Sequence, residues 1–189
     1  MRKLLVSNLV TLDGYFEGLN RDIGWHNVDA EFNEYAIDML NAVDTLMFGR
    51  VTYELMADYW PTPQAIKNDP IVAGKMNALP KIVFSRTLNK VEWNNTRLEK
   101  DIIDEEIKNM KKQPGKDIMI LGSGSIMTQF AERGLIDGYG IMVNPVALGD
   151  GKPLFKGIKE RLKLKLVRTR TFRNGNVLLY YQPSQGESK

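Results

Sequence analysis

A chain of 189 residues with 43% hydrophobic and 26% charged residues reads as an ordinary globular protein, not a disordered or fibrous one. Chains of this size bury roughly 70% of the surface they expose when unfolded. Without cysteine there are no disulfides, thiol nucleophiles or thiolate metal sites, and with His26 as the sole histidine no metal site is expected. The net charge of +3 is small and its basic residues are dispersed, so neither nucleic acid nor membrane is expected as a partner, and the lack of cysteine fits a cytoplasmic location.

In chain order, "LLVSNLV" follows Arg2 and Lys3 but runs into Thr11, Asp13 and Gly14 without a small-residue cleavage site, so it is a buried first strand and not a signal peptide. After the loop "DGYFEGLNRDIGWHNVD", apolar residues at Phe32, Tyr35, Ala36, Met39, Leu40 and Val43 keep helical spacing, and Asp29 is placed to cap that helix. "DTLMFGR" is a buried strand ending at Gly49, followed by a helix from about Arg50 to Met56; Pro61, Pro63 and Pro70 mark a loop beyond it. "KIVFSRT" is the next strand. "DIIDEEIKNMKK" is a helix with acids at its start and lysines at its end, as the helix dipole favours. "DGYGIMVNP" is a further strand, and "LKLKLVRTRTFRNGNVLLYYQP" is a hairpin turning at Asn174-Gly175. The expected architecture is α/β: a mixed, mainly parallel sheet with helices on both faces and a C-terminal antiparallel hairpin, in one domain over residues 1–183 with a polar tail at 184–189.

Between "DIIDEEIKNMKK" and "DGYGIMVNP" lies "IMILGSGSIMTQFAERG", a strand running through Gly122-Ser123-Gly124-Ser125 into a helix. Such a junction aims backbone amides at one point, backed by the positive end of the helix dipole, and suits phosphate. The dinucleotide fingerprint requires a third glycine where Met127 stands, and no Lys-Ser or Lys-Thr pair follows, so this is neither a Rossmann fingerprint nor a P-loop. Gly49-Arg50 with Thr52 is a second phosphate-ready helix start, and Ser85-Arg86 supplies a hydroxyl and a guanidinium fork at a third strand exit.

Taken in order, Phe48-Gly49-Arg50-Val51-Thr52-Tyr53, Phe84-Ser85-Arg86 and Leu121-Gly122-Ser123-Gly124-Ser125 resemble the dihydrofolate reductase superfamily over nearly the whole chain. Thr11-Leu12-Asp13-Gly14 and Leu148-Gly149-Asp150-Gly151-Lys152-Pro153-Leu154-Phe155 resemble stretches of its stand-alone relatives, which are similar to the reductase domain of riboflavin-biosynthesis deaminase-reductases. The resemblance implies NADPH as cofactor. Gly122 to Ile126, with Leu121, would cradle the pyrophosphate, and Gly49, Arg50 and Thr52 would face it from the other side. Ser85 and Arg86 would grip the 2′-phosphate, and Leu9 and Phe16 would flank the nicotinamide.

On the substrate side the resemblance implies a carboxylate at the start of the first helix, after a tryptophan and before an aromatic residue. Glu31 fits as the catalytic acid, with Asp29 as the alternative, and Trp25, Phe32 and Tyr35 would contact substrate. As plain sequence, Asp29 is equally an N-cap and Glu31 an exposed first-turn acid, and "MADYW" either walls the pocket or packs the core. The riboflavin enzymes carry Gly-x-x-Thr-x-x-x-Asp-x-Pro after the second strand, where this chain has Gly-Arg-Val-Thr-Tyr-Glu-Leu-Met-Ala-Asp-Tyr-Trp. The implied function is reduction of a pyrimidine- or pterin-like heterocycle, with reduction of 5-amino-6-(5-phosphoribosylamino)uracil as the reference reaction and dihydrofolate reduction or non-catalytic nucleotide binding as alternatives. A homodimer is also expected, because the basic, alternating segment from Leu162 to Arg170 would otherwise be a long free edge.

Overall fold

Alternation along buried strands sorts their side chains onto two faces, and in this protein both faces are covered. In the computed structural model, which describes residues 1–184, the elements are β1 (Leu4–Thr11), β2 (Tyr15–Glu17), α1 (Ala30–Asn41), β3 (Val43–Gly49), α2 (Arg50–Tyr59), α3 (Pro63–Asn68), α4 (Pro70–Ala78) and β4 (Lys81–Phe84). They continue with β5 (Thr96–Glu99), α5 (Asp104–Lys112), β6 (Asp117–Leu121), α6 (Gly124–Glu132), β7 (Gly138–Asn144), β8 (Lys152–Pro153), β9 (Leu164–Thr171) and β10 (Val177–Pro183). The expected tail lies outside the described residues apart from Ser184, whose amide donates to the Lys163 carbonyl (2.9 Å).

The eight-stranded sheet has the order β5-β4-β3-β6-β1-β7-β10-β9. Its first six strands are parallel, and the C-terminal hairpin adds β10 antiparallel to β7, with β9 outermost. This is the expected mixed, mainly parallel α/β sheet. Met47, Ile118 and Ile120 pack with Ile126, Met127 and Phe130 of α6 on one face, while Leu46, Phe48, Met119 and Leu121 pack with Leu40, Tyr53, Val72 and Met76 on the other. Burying each such side chain contributes about 1.5–3 kcal/mol.

Several boundaries differ from the sequence-based expectation. The region that the prolines mark as a loop contains two helices, because Pro63 and Pro70 stand in the first turns of α3 and α4, where a missing amide leaves no hydrogen bond unmade. The strand "KIVFSRT" stops at Phe84, and β2, β5 and β8 are short strands that local periodicity does not reveal. Lys81 is buried at the start of β4, where its ammonium donates to the carbonyls of Met76 (2.9 Å), Asn77 (3.1 Å) and Leu79 (2.7 Å), closing the end of α4. Burial lowers its pKa to about 8.

Because β1, β3, β4 and β6 are mutually parallel, their C-terminal ends open on one edge of the sheet, where open α/β folds bind ligands. That edge carries all three phosphate-ready sequences.

Candidate functional site

At the β3 exit, Gly49 is the N-cap of α2 and contributes no side-chain cap. At the β6 exit the chain turns through two left-handed residues, Gly122 (φ 56°) and Ser123 (φ 59°), before α6 begins. A Cβ on Gly122 would come within 3.1 Å of Thr52 Cγ2, so only glycine lets the two turns lie this close. Ser123 does not cap α6; its hydroxyl accepts instead from the Gly49 amide (2.8 Å). The side chains of Asp29 and Thr62 do cap α1 and α3, whereas α4 and α5, like α2 and α6, make no side-chain cap. Two uncapped helix starts therefore face one cleft of about 250 Å³, each with first-turn amides that lack acceptors within the helix. Arg50, Ser85, Thr87, Gln129 and Lys152 line the same cleft. Arg50 meets both carboxylate oxygens of Glu54, at 3.1 and 3.0 Å.

The cleft is roofed by the two stretches that resemble the riboflavin-type relatives. Thr11 donates to Asp13 Oδ1 (2.6 Å), and Asp13 Oδ2 accepts from the amides of Leu148 (3.1 Å) and Gly149 (2.8 Å). The Thr11 hydroxyl first, then the Gly149 amide, hold the Asp13 carboxyl below its usual range. Pairing of β2 with β8 sets Tyr15 opposite Pro153 and Glu17 opposite Lys152. Phe16 and Lys152 thereby reach the cleft, the ammonium 5.2 Å from the centre of the Phe16 ring.

Phe16, Glu17, Val51, Thr52 and Ser123 also line a second space, so the cleft continues into a cavity of about 360 Å³ between α1, α2 and the end of β1. Its wall is mainly apolar, with Leu9, Phe32, Tyr35, Met39, Leu55 and Met142 among the lining residues. Besides hydroxyls such as those of Ser7, Thr52 and Ser123, its polar side chains include Asn8, Glu17, His26, and an Asn33–Asp69 pair in which Asn33 Nδ2 donates to Asp69 Oδ1 (2.8 Å). Asp69 occupies the N-cap position of α4 yet makes no capping bond with its side chain. Asn8 Nδ2 and His26 Nε2 are buried without a hydrogen-bond partner among the described residues, as expected of groups that meet a ligand.

Burial depresses the His26 pKa to about 4, against a small opposing pull from Asp22. An unfolded-state imidazole titrates near 6.5, so between these values the unfolded chain binds the extra proton and stability falls as pH drops. Lowering pH from 7 to 4.5 should cost about 2 kcal/mol through this group. In urea denaturation the difference between the two pH values should shrink by that amount in His26→Gln; an unchanged difference would mean that His26 is not held neutral.

The structure brings most of the expected site residues together. Gly49, Arg50, Thr52, Ser85, Ser123, Gly124, Ser125 and Ile126 line the cleft, Leu9, Leu121 and Gly122 the adjoining cavity, and Phe16 both. Arg86 lies outside the cleft lining, exposed and paired with Asp101. Phe32 and Tyr35 line the cavity, whereas Trp25 does not: its indole N–H donates to the Asp22 carbonyl (3.1 Å) and its ring packs edge-on against His26. Glu31 needs correction too. Its position in the first turn of α1 carries it to the hairpin, where it accepts from the Arg173 amide (3.0 Å) and pairs with Arg170 (3.4 Å). Asp29 is the cap, accepting from the Phe32 amide (2.9 Å), and neither acid lines the cavity. The carboxylates that do are Glu17 and Asp69.

The model of the RibD C-terminal domain matches residues 2–178. The chain belongs to the RibD C-terminal domain family. Among its relatives, the RibD-type domain is 38% identical over 180 residues to the uncharacterized protein YyaP of Bacillus subtilis (strain 168), covering 95% of this chain and 94% of that one. The structure of a putative riboflavin biosynthesis protein from Shewanella sp. PV-4 superposes with a TM-score of 0.74 at 21% identity, covering 97% and 99% of the two chains. A diaminohydroxyphosphoribosylaminopyrimidine deaminase/5-amino-6-(5-phosphoribosylamino)uracil reductase from Thermotoga maritima superposes with a TM-score of 0.70 at 14% identity. The match covers 97% of this RibD-type domain but 57% of that longer chain. The fold is thus the dihydrofolate-reductase-like fold of RibD reductase domains.

Proposed function

We propose that this RibD-type domain is an NADPH-dependent oxidoreductase that reduces a C=N bond in, or attached to, a pyrimidine-like heterocycle. The observation that carries this reading is the meeting of two uncapped helix starts in one cleft that opens directly into an apolar cavity holding a carboxylate. The residues present fit a dinucleotide phosphate chain: the α6 amides behind Gly122 and Ser123 serve one side, and Arg50 and Thr52 the other. Ser85 and Thr87, with Arg86 swung from Asp101, and Lys152 from the roof supply the hydroxyls and cations that a further phosphate requires.

When bound, NADPH would supply a hydride for the carbon of the C=N bond, so that the protein has to provide one proton for the nitrogen. Asp69, steadied by Asn33, is the group placed to orient the heterocycle and hold that proton. Phe16, which lines both spaces, and the apolar cavity wall would keep water from the reacting bond.

Titration calorimetry with NADPH and NADH tests the reading. NADPH should bind more tightly, and Arg86→Ala should weaken it roughly tenfold, about 1.4 kcal/mol, with NADH changed less than about twofold. Equal losses for both cofactors would remove Arg86 from the role, and absence of NADPH binding to the unmodified protein would end the reductase reading.

A further inference from the structure

Resting on the reductase reading, we infer that the substrate cavity takes a nitrogen heterocycle that carries no phosphate, uncharged or cationic, with Asp69 receiving its N–H edge. Among the described residues lining the cavity none is lysine or arginine, whereas two, Glu17 and Asp69, are carboxylates. A phosphate monoester is close to dianionic at neutral pH and is held by guanidinium forks, ammonium groups or helix amides. Arg50 and Lys152 line the cofactor cleft, where Arg50 is already joined to Glu54, and Arg170, 6.0 Å from the centre of the Tyr35 ring, is paired with Glu31 and is not among the lining residues. Among the described lining residues His26 is the one that could become cationic, and its Nε2 is buried with no partner among them.

The mouth agrees with the floor. Val28, Leu55 and Tyr59 line the cavity and are also among the exposed large hydrophobics of the protein, at 51%, 46% and 40%. A ribose phosphate leaving the cavity would cross this apolar rim and meet no counter-charge. A flat ring with an apolar or short polar substituent would cover it. On the floor, the Asn33 amide occupies one oxygen of Asp69, and Asp69 Oδ2 makes no side-chain hydrogen bond among the described residues, which leaves an acceptor for a ring N–H or amino group. This separates the protein from the reaction named for the Thermotoga maritima relative, whose substrate carries a phosphoribosyl group.

The test is equilibrium binding to the NADP⁺-loaded protein of a matched pair, 5-amino-6-ribosylaminouracil and its 5′-phosphate, with NADPH affinity measured separately. The riboside should bind at least roughly tenfold more tightly than the phosphate, and Asp69→Asn should lower riboside affinity by a similar factor while NADPH affinity holds. Leu55→Arg, a change at an exposed position, should narrow the preference by improving the phosphate. A phosphate form bound equally or more tightly, or neither compound bound at millimolar concentration, overturns the inference. Loss of riboside binding in Leu55→Arg with no gain for the phosphate counts against it as well. Riboside binding without NADPH binding would leave the cavity assignment standing and remove the cofactor reading.

Discussion

Gly124→Val is expected to weaken NADPH binding by roughly hundredfold or more, about 2.7 kcal/mol, in a protein that still folds. A Cβ built on Gly124 would lie 2.9 and 3.0 Å from two ring carbons of Phe16 and 3.3 Å from the Leu154 carbonyl. The valine must therefore push Phe16 and the short β2–β8 roof outward, and its methyl groups would cover the amides of the α6 start. Overpacking of this kind costs about 1–3 kcal/mol, which a protein of this size shows as a modest fall in melting temperature. Circular dichroism would report the retained fold and fluorescence titration the lost cofactor. Unchanged NADPH affinity in the folded variant would make the glycine turn purely structural.

The second large effect concerns the acids. Asp69→Asn should lower turnover by about 10²–10⁴-fold at saturating NADPH, the usual range for removing a general acid or base, with cofactor affinity unchanged. Asparagine preserves the shape and can still meet Asn33, so the loss would report on charge and proton transfer. Glu31→Gln should leave turnover within about twofold and lower stability by no more than about 1 kcal/mol, because it weakens a partly exposed ion pair with Arg170 while the glutamine oxygen can still accept from the Arg173 amide. The opposite pattern, with Glu31→Gln inactive and Asp69→Asn normal, would return the acid to the start of α1.

The contrast between these two acids shows what the sequence can and cannot convey. The phosphate side was legible because its information is local: a strand, a glycine and a helix start lie within a few residues of each other at Gly49 and at Gly122, and their convergence follows once the strands are parallel. The substrate side depends on contacts across long stretches of chain. Asp69 reaches the cavity only because α1 and α4 pack together and Asn33 takes its carboxylate, and Glu31 misses it because the hairpin around Arg173 comes back to cover α1. The prolines misled for a related reason: Pro63 and Pro70 open helices as readily as they interrupt them, and only the residues packed behind α4, such as Val72 and Met76, decide which. His26 carried no pattern at all; its burial is a property of the loop wrapped over the cavity.

The bond from the Gly49 amide to the Ser123 hydroxyl has a bearing on how a ligand is met. It crosses between two strand exits 74 positions apart in the chain and joins the start of α2 to the start of α6. Ser123 holds a left-handed backbone to make it, a conformation that disfavours serine by about 1–2 kcal/mol. In return, the spacing between the two sets of amides is fixed before any anion arrives. The cleft is a rigid gauge set in advance, and a phosphate chain of the right span finds little protein left to order.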